Sequence, residues 1–554
     1  MRVLPVLPLL FAGCGSETDS RALSAAPWLA DVTAESGVRF LHAAEDERGI
    51  STPEILGSGA ALLDADSDGD LDAYLVNAAP SNGPKGALPP RNAFFEQVAP
   101  LVFVDATERS RTGDEGFGMG AAAGDCDADG DLDLFVANVG PDRLFANRGD
   151  GIFDDVSSEA GIGGEGWSSS AAFADLDADG DLDLFVARYL ELDPARACRD
   201  AAGRVEYCGP TDFPGLSDLL YENLGDGRLR EASAERGIAA AKRRGLGVLC
   251  ADLSGDGRLD VFVANDNDPN QLWVQGDDGR LQDLALERGV AYDAGGREEA
   301  GMGIACADFD GNGSLDLLLS HLTGEGSTLY VQEPPGHFRD ATFELGLMDA
   351  TLPFTGFGIV AADLDHDGEV EAIQVDGRVT RGPPHESARS LGSLAPYAER
   401  GLLLRRDERG IYREAPLLAG ALAREALVGR GLCVGDLDRD GDHDLLTTAV
   451  GDRARLWRND AEKRGHALRV RVRDRNGGDA LGARVTALAG GRRFVGLVPS
   501  GGSYLSSSEA VCHLGIGPLE SVDELEIVWP DGEVERFPGT LAAGEITLVR
   551  GDGR

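Results

Sequence analysis

Beyond its first residues the chain has no apolar run near the roughly 18 residues that a membrane-crossing helix needs, so no segment is expected to span a bilayer. Positive charge is also scarce. Against 96 Asp and Glu stand only 51 Lys and Arg, a formal charge of −45, which argues against nucleic acid and against docking on anionic head groups. Compact chemical motifs are missing too: there is no GxSxG elbow, no GxxxxGK phosphate loop and no HExxH, the patterns that seat a nucleophile, a phosphate or a zinc ion. The eight histidines (His42, His321, His337, His366, His385, His443, His466 and His513) are scattered singly. Any catalysis would have to use residues distant in sequence, as repeat scaffolds sometimes do.

What the chain has in excess is one acidic loop, written seven times: DADSDGDLD, DCDADGDLD, DLDADGDLD, DLSGDGRLD, DFDGNGSLD, DLDHDGEVE and DLDRDGDHD. Positions 1, 3, 5 and 9 offer side-chain oxygens to a hard cation, and the glycine at position 6 lets the chain reverse. Position 7 varies freely, as expected where a main-chain carbonyl meets the ion. The candidate Ca²⁺ ligands are therefore Asp64, Asp66, Asp68, Asp70 and Asp72; Asp125, Asp127, Asp129, Asp131 and Asp133; and Asp175, Asp177, Asp179, Asp181 and Asp183. The later copies supply Asp252, Ser254, Asp256, Arg258 and Asp260; Asp308, Asp310, Asn312, Ser314 and Asp316; Asp363, Asp365, Asp367, Glu369 and Glu371; and Asp436, Asp438, Asp440, Asp442 and Asp444. Ser254 and Arg258 make the fourth loop poorer in carboxylate and the weakest expected site, and Asn312 lightens the fifth. An EF-hand is excluded, because position 12 is Leu75, Val136 or Val186 instead of Glu, and β-rich runs such as LFVAN follow in place of a helix. His366 and His443 fall at variable loop positions and are expected to face solvent.

A longer unit surrounds each loop. A Gly/Ala strand precedes it (GFGMGAAAG, GLGVLCA, GRGLCVG), and a strand and hairpin follow, clearest in RLFANRGDGIFDDVSSEAGI. Units of about four short strands, their loops 50 residues apart from Asp125 to Asp175 and 77 from Asp175 to Asp252, predict an all-β, seven-bladed β-propeller. Its small-residue strands would line the crowded axis. The last unit stops at RLWRND, while WLADVTAESGV (Trp28–Val38) is the missing half at the other end. The N-terminal segment is thus expected to complete the last blade and remove a free edge. Three stretches exceed the minimal unit, Ala78–Pro100, Arg188–Ser217 and Arg378–Arg406, and read as surface loops.

Arg2, the apolar stretch Val3–Phe11 and the sequence Phe11-Ala12-Gly13-Cys14 read as a bacterial lipoprotein signal, with Cys14 lipidated and residues 14–27 a linker. Outside the cytoplasm even Ca²⁺ sites with dissociation constants of about 10⁻⁴ to 10⁻³ M fill. Cys198 and Cys208 bracket a polar insertion and are expected to pair, closing a loop worth roughly 2–3 kcal/mol. Cys126, Cys250, Cys306, Cys433 and Cys512 read as buried thiols. GIGGEG at Gly161 opens no helix, so it is not read as a nucleotide loop. Arg148-Gly149-Asp150 belongs to a repeated turn, and the sequon at Asn312 lies inside an acidic loop; neither is read as functional.

Together these residues resemble FG-GAP/VCBS repeat proteins, the group with integrin-α-like propellers, and more narrowly the cartilage acidic protein family and its bacterial relatives. After Asp460, LGARVTALAGG, SGGSYLSSS, HLGIG and VWPDGEVERF resemble an ASPIC/UnbV domain. The resemblance implies a propeller over 28–462, a small C-terminal β-sandwich-like domain over 463–554, and a Ca²⁺-dependent extracellular scaffold for a glycan or protein ligand. It implies no defined reaction. The reading is a secreted or cell-envelope adhesion protein, an outer-membrane lipoprotein touching the membrane only through its lipid. The alternative is a Ca²⁺-dependent carbohydrate-active enzyme, and the C-terminal domain is a candidate docking module.

Overall fold

The computed structural model describes residues 26–44, 50–78, 90–193, 195–196, 198–199, 203, 205–225 and 227–554. The expected lipidation site, Cys14, lies outside them.

The architecture is all-β and propeller-like, a series of four-stranded antiparallel sheets of one design. In the sheet that follows the second acidic loop's Gly/Ala run, Phe117–Gly124 pairs with Asp133–Val139, then Arg143–Asn147, then Phe153–Asp155. The loop joins the first two strands. In every copy its ninth residue is the first residue of the second strand, from Asp72–Leu75 through Glu371–Asp376 to Asp444–Ala449. The first strands carry Gly, Ala and Ser because neighbours press on both sides. Ala60–Leu63 lies against Phe117–Gly124, followed in turn by Ser168–Ala174, Gly245–Ala251, Ile304–Ala307, Gly356–Ala362 and Gly429–Gly435, which lies against Ala60–Leu63.

Chain ends meet in one sheet. Leu29–Asp31 pairs with Arg455–Asn459, Leu29 opposite Asn459, and so becomes the outer strand of the sheet, with Arg455–Asn459 between it and Asp444–Ala449. Asp-x-Ser/Thr, at Asp31, Asp105, Asp155 and Asp340, explains how four of the sheets end. Asp155 Oδ1 accepts the Ser157 N–H at 3.1 Å while Ser157 Oγ accepts the Leu144 N–H at 2.9 Å, tying the fourth strand's exit to the third strand. Thr33 does the same for Leu456 across the junction of the chain ends, at 3.0 Å. Gly37, with φ of +88°, then turns the chain so tightly that a Cβ there would lie 2.3 Å from the Phe103 carbonyl of the first sheet.

All three expected surface insertions hold more structure than a loop, Arg188–Ser217 through the short pairings of Cys198–Arg199 with Val205–Glu206 and of Leu216–Ser217 with Lys242–Arg243. Ala78–Pro100 includes Ala93–Ala99, and Arg378–Arg406 includes Leu402–Arg406, each the third strand of its sheet. Their hairpin signals are diluted by the Pro- and Gly-rich residues that precede them. In the third insertion Cys198 and Cys208 form a disulfide with Cα atoms 5.1 Å apart. Cys126, Cys250, Cys433 and Cys512 are buried thiols, and Cys306 is a partly buried one.

The C-terminal residues form a three-stranded sheet (Cys512–Gly517, His466–Arg473, Gly544–Val549) and a four-stranded one (Arg492–Leu497, Arg484–Ala489, Ser521–Val528, Val534–Ala542). Their core is not separate. Val470, Val485, Leu525 and Trp529 belong to one apolar cluster with Phe135, Phe173 and Tyr221 of the repeat sheets. A freely detachable docking module does not describe this packing.

The segment 500–509 goes further, entering the space between the first strands. Cys250 N–H donates to Ser500 O (2.9 Å), Ile304 and Ser503 exchange N–H···O bonds (3.1 and 2.6 Å), and Ala121 N–H donates to Leu505 O (3.2 Å). Ser507 N–H donates to Ala60 O (2.9 Å), Glu509 N–H to Val434 O (3.1 Å), and Leu505 N–H to Ser170 Oγ (3.1 Å). The Phe357 ring, on the remaining first strand, lies 4.9 Å from that of Tyr504 in an edge-on contact. One ten-residue stretch therefore touches the innermost strand of every repeated sheet, and glycine there is a packing requirement: a Cβ on Gly59 would lie 1.9 Å from Leu505 O.

Candidate metal centre

Each acidic loop is held by the same backbone bonds. The position-6 glycine N–H donates to a position-1 carboxylate oxygen, as Gly130 does to Asp125 Oδ2 at 3.0 Å, in all seven copies. The position-7 N–H donates to the position-5 side chain, as Asp131 does to Asp129 Oδ1 at 3.0 Å, again in all seven. The position-9 carboxylate accepts the position-2 N–H, as Asp133 does from Cys126 at 2.8 Å. Its other oxygen is often bonded as well, as Asp133 Oδ1 is by the Asn147 N–H at 2.8 Å. Position 9 thus acts as a clamp at the strand entrance, while positions 1 and 3 converge with position 5 in the first and third loops and with position 9 in the second and fifth.

The convergence is close. One oxygen from each of Asp64, Asp66 and Asp68 lies within 4.8 Å of the others, and the same holds for Asp125, Asp127 and Asp133, for Asp175, Asp177 and Asp179, and for Asp308, Asp310 and Asp316. Asp64 Oδ1, Asp127 Oδ1 and Asp177 Oδ1 are buried without a hydrogen-bond partner. Burial raises these carboxyls, and repulsion from loop mates adds to it against the pull of the backbone donors: Asp125 is pushed up to about 6, Asp175 to about 7, and Asp133 and Asp183 to about 8. Desolvated, mutually repelling carboxylates with a free oxygen fit a hard divalent cation such as Ca²⁺, which takes six to eight oxygens.

The loops differ in what already neutralises them. Among the described residues, the second, third and fifth loops have no ion pair, whereas Arg258 binds Asp256 within the fourth at 2.8 Å. Expectation placed the fourth lowest in cation affinity; the sixth is more heavily occupied by protein cations. Arg405 approaches Asp365 (3.3 Å), Asp367 (2.6 Å) and Glu371 (3.1 Å), and Arg464 reaches Asp365 at 3.0 Å. Arg439 of the seventh loop reaches Asp70 of the first at 3.2 Å, and Lys463 and Arg469 pair with Asp442 and Asp436.

Neighbouring loops are joined through one carbonyl. Asn147 Nδ2 donates to Ala65 O of the preceding loop at 2.8 Å and to Leu132 O of its own at 3.1 Å. Asn223, Gln332 and Asn459 repeat this toward Cys126, Leu253 and Leu364. Tyr412 Oη reaches Phe309 O, and the Leu101 N–H reaches Leu437 O, bringing the first sheet to the last loop. The recurring Asn in RLFAN, LLYEN and RLWRN is the signal for this role, and it lies outside the acidic motif. Asn147→Ala removes both bonds, leaving Leu132 O without this donor while Ala65 O keeps the Gly151 N–H at 3.2 Å; it is expected to cost about 1–3 kcal/mol, read as a lowered melting temperature with the β-sheet circular dichroism of the folded protein unchanged at 25 °C.

His366 and His443 are not solvated. Each is only 8% exposed, because the C-terminal strand bearing His513 covers both loops; ring centroids are 5.1 Å apart for His366 and His513 and 4.5 Å for His443 and His513. Burial holds His366 down to about 4 and His443 to about 3. Arg148 is tied to Asp154 (Nε to Oδ2, 2.6 Å), and GIGGEG simply bridges two sheets without a helix after it.

Repeated four-stranded sheets, each with an Asp-rich loop between its first two strands, define an FG-GAP-like repeat protein: residues 125–186, 252–319 and 308–373 match that family, and residues 473–554 match ASPIC and UnbV. The chain thus carries FG-GAP-like repeats and ends in an ASPIC/UnbV-like segment, and it is similar in sequence to cartilage acidic protein 1. It is 27% identical to Cartilage acidic protein 1 of Xenopus tropicalis over 525 residues (90% of this chain, 74% of that protein) and 27% identical to that of Homo sapiens over 523 residues (90% and 72%). A crystal structure of BBS1N in complex with ARL6DN shares 8% identity over 78% of this chain and 98% of that one, with a TM-score of 0.43.

Proposed function

We propose that this protein is an extracellular Ca²⁺-binding recognition scaffold, non-catalytic, in which the repeated sheets act as the blades of a closed seven-bladed propeller and the acidic loops seat the ions along one rim. The observation that carries the reading is the identical bonding of seven loops around clustered carboxylates, several of whose oxygens, Asp64 Oδ1, Asp127 Oδ1 and Asp177 Oδ1 among them, are buried and unpaired. Side chains at positions 1, 3 and 5 and the main-chain carbonyl of position 7 would hold each ion. Bound Ca²⁺ supplies charge neutralisation, so that clustered carboxylates stop repelling each other and the loop keeps its shape.

The ligand class is a glycan or a protein, presented to the loops that connect the sheets. The names of the cartilage acidic protein relatives support an extracellular setting, and among the described residues no helix is long and apolar enough to cross a membrane. The test is a panel of acidic and neutral polysaccharides together with an envelope protein extract, each offered with and without Ca²⁺. Retention that needs Ca²⁺ and leaves no new reducing ends is the expected result. New reducing ends would replace this reading with the carbohydrate-active enzyme.

A further inference from the structure

The loops are built from oxygen donors, but one corner of the same rim is built from nitrogen. His366 sits at position 4 of the sixth loop with φ of +59°, His443 at position 8 of the seventh, and His513 on the C-terminal strand Cys512–Gly517. The His513 ring packs against both others, at 5.1 and 4.5 Å between centroids. His366 Nε2, His443 Nδ1 and His513 Nε2 are buried with no hydrogen-bond partner. An unpaired buried polar nitrogen costs about 1–3 kcal/mol, and three of them in one cluster point to a shared partner.

Geometry says what kind. Imidazole nitrogens about 2.0–2.1 Å from one ion place each ring centre about 3.2 Å from it, and tetrahedral angles then put ring centres about 5 Å apart. The two spacings to His513 match. His513 also bonds the backbone of Gly441, the kind of outer contact that orients a metal-binding imidazole. His443 and His513 line a cavity of about 590 Å³ between the first strands and Arg492–Leu497, which leaves room for a fourth ligand. An all-imidazole set suits a first-row divalent ion and not Ca²⁺.

We propose that His366, His443 and His513 form a binding site for one Zn²⁺-like transition ion, three-coordinate from protein with an open position facing the cavity. The site stands independently of the Ca²⁺ reading, since its donors are not those of the loops.

The full-length protein, stripped with chelator and then held in millimolar Ca²⁺, is titrated with Co²⁺. One equivalent should bind with visible d–d absorption, be displaced by Zn²⁺ and resist Mg²⁺. His366→Asn, whose side chain tolerates positive φ, and His443→Gln should each weaken binding by roughly 10- to 100-fold, as loss of a ligand contact does, with the melting temperature in Ca²⁺ preserved. No bound equivalent overturns the proposal, leaving three packed rings; so do bands that persist in the double variant. Should the variants not fold, Zn-edge absorption spectroscopy on the native chain decides: three imidazoles support the site, fewer than two overturn it.

Discussion

Chelation is expected to lower the melting temperature of this protein by more than about 10 °C, and Ca²⁺ to restore it where equimolar Mg²⁺ does not. The second, third and fifth loops carry no internal counter-cation among the described residues, and the fifth alone replaces a position-5 Asp, with Asn312. At free Ca²⁺ a hundredfold above its dissociation constant each site contributes about 2.7 kcal/mol, so three supply on the order of 8 kcal/mol, and that corresponds to a shift of this size in a long chain. Mg²⁺ fails because it demands a compact octahedron and gives up its waters reluctantly. Differential scanning calorimetry with and without chelator reads the result directly. A melt indifferent to chelator would remove Ca²⁺ from the account of these loops.

The second large effect concerns the stretch that enters between the first strands. Tyr504 is fully buried, its hydroxyl donates to Leu56 O at 2.8 Å, and its ring meets Phe357. Tyr504→Ala is expected to cost about 3–5 kcal/mol, the range for emptying a large aromatic site in a core. Gly59→Val should do at least as much damage from the opposite direction, because its side chain would have to displace both Leu505 O and Met119 O, 1.9 and 2.8 Å from the Cβ position. Truncation after Asp460 should leave no folded protein at all, as it exposes main-chain groups of Ala60, Ala121, Cys250, Ile304 and Val434 that the missing residues satisfy. Urea denaturation of the two point variants and solubility of the truncation measure these losses. Near-native stability in Tyr504→Ala would reduce the stretch to a passive filler.

Reading the sequence recovers the parts of this fold whose signals are local. The acidic loops, the Gly/Ala strands and the split unit at Trp28–Val38 each carry their own pattern, and all but the split unit's strand, which pairs with Arg455–Asn459, pair with near neighbours. The role of SGGSYLSSS has no such pattern. It is a polar, glycine-rich run that periodicity reads as surface, and its partners lie far away in sequence, as with Ser506 and Ala60, 446 residues apart. The histidines failed for a related reason: His366 and His443 sit where a loop residue normally meets water, and only the arrival of His513 from another unit buries them. Within the loops, the turn set by the position-6 glycine was legible, but the clamp role of position 9 and the arginines that crowd the sixth loop depend on tertiary contacts.

The pairing of Leu29–Asp31 with Arg455–Asn459 and the late position of residues 500–509 set an order on biogenesis. A ribosome releases the outermost strand of the last sheet first, yet that strand has nothing to pair with until more than four-fifths of the polypeptide has emerged, and the interior stays unfilled until a tenth remains. Nascent chains therefore spend most of their synthesis as an unfinished arc with a bare edge at one end, the stage at which chaperone protection matters most.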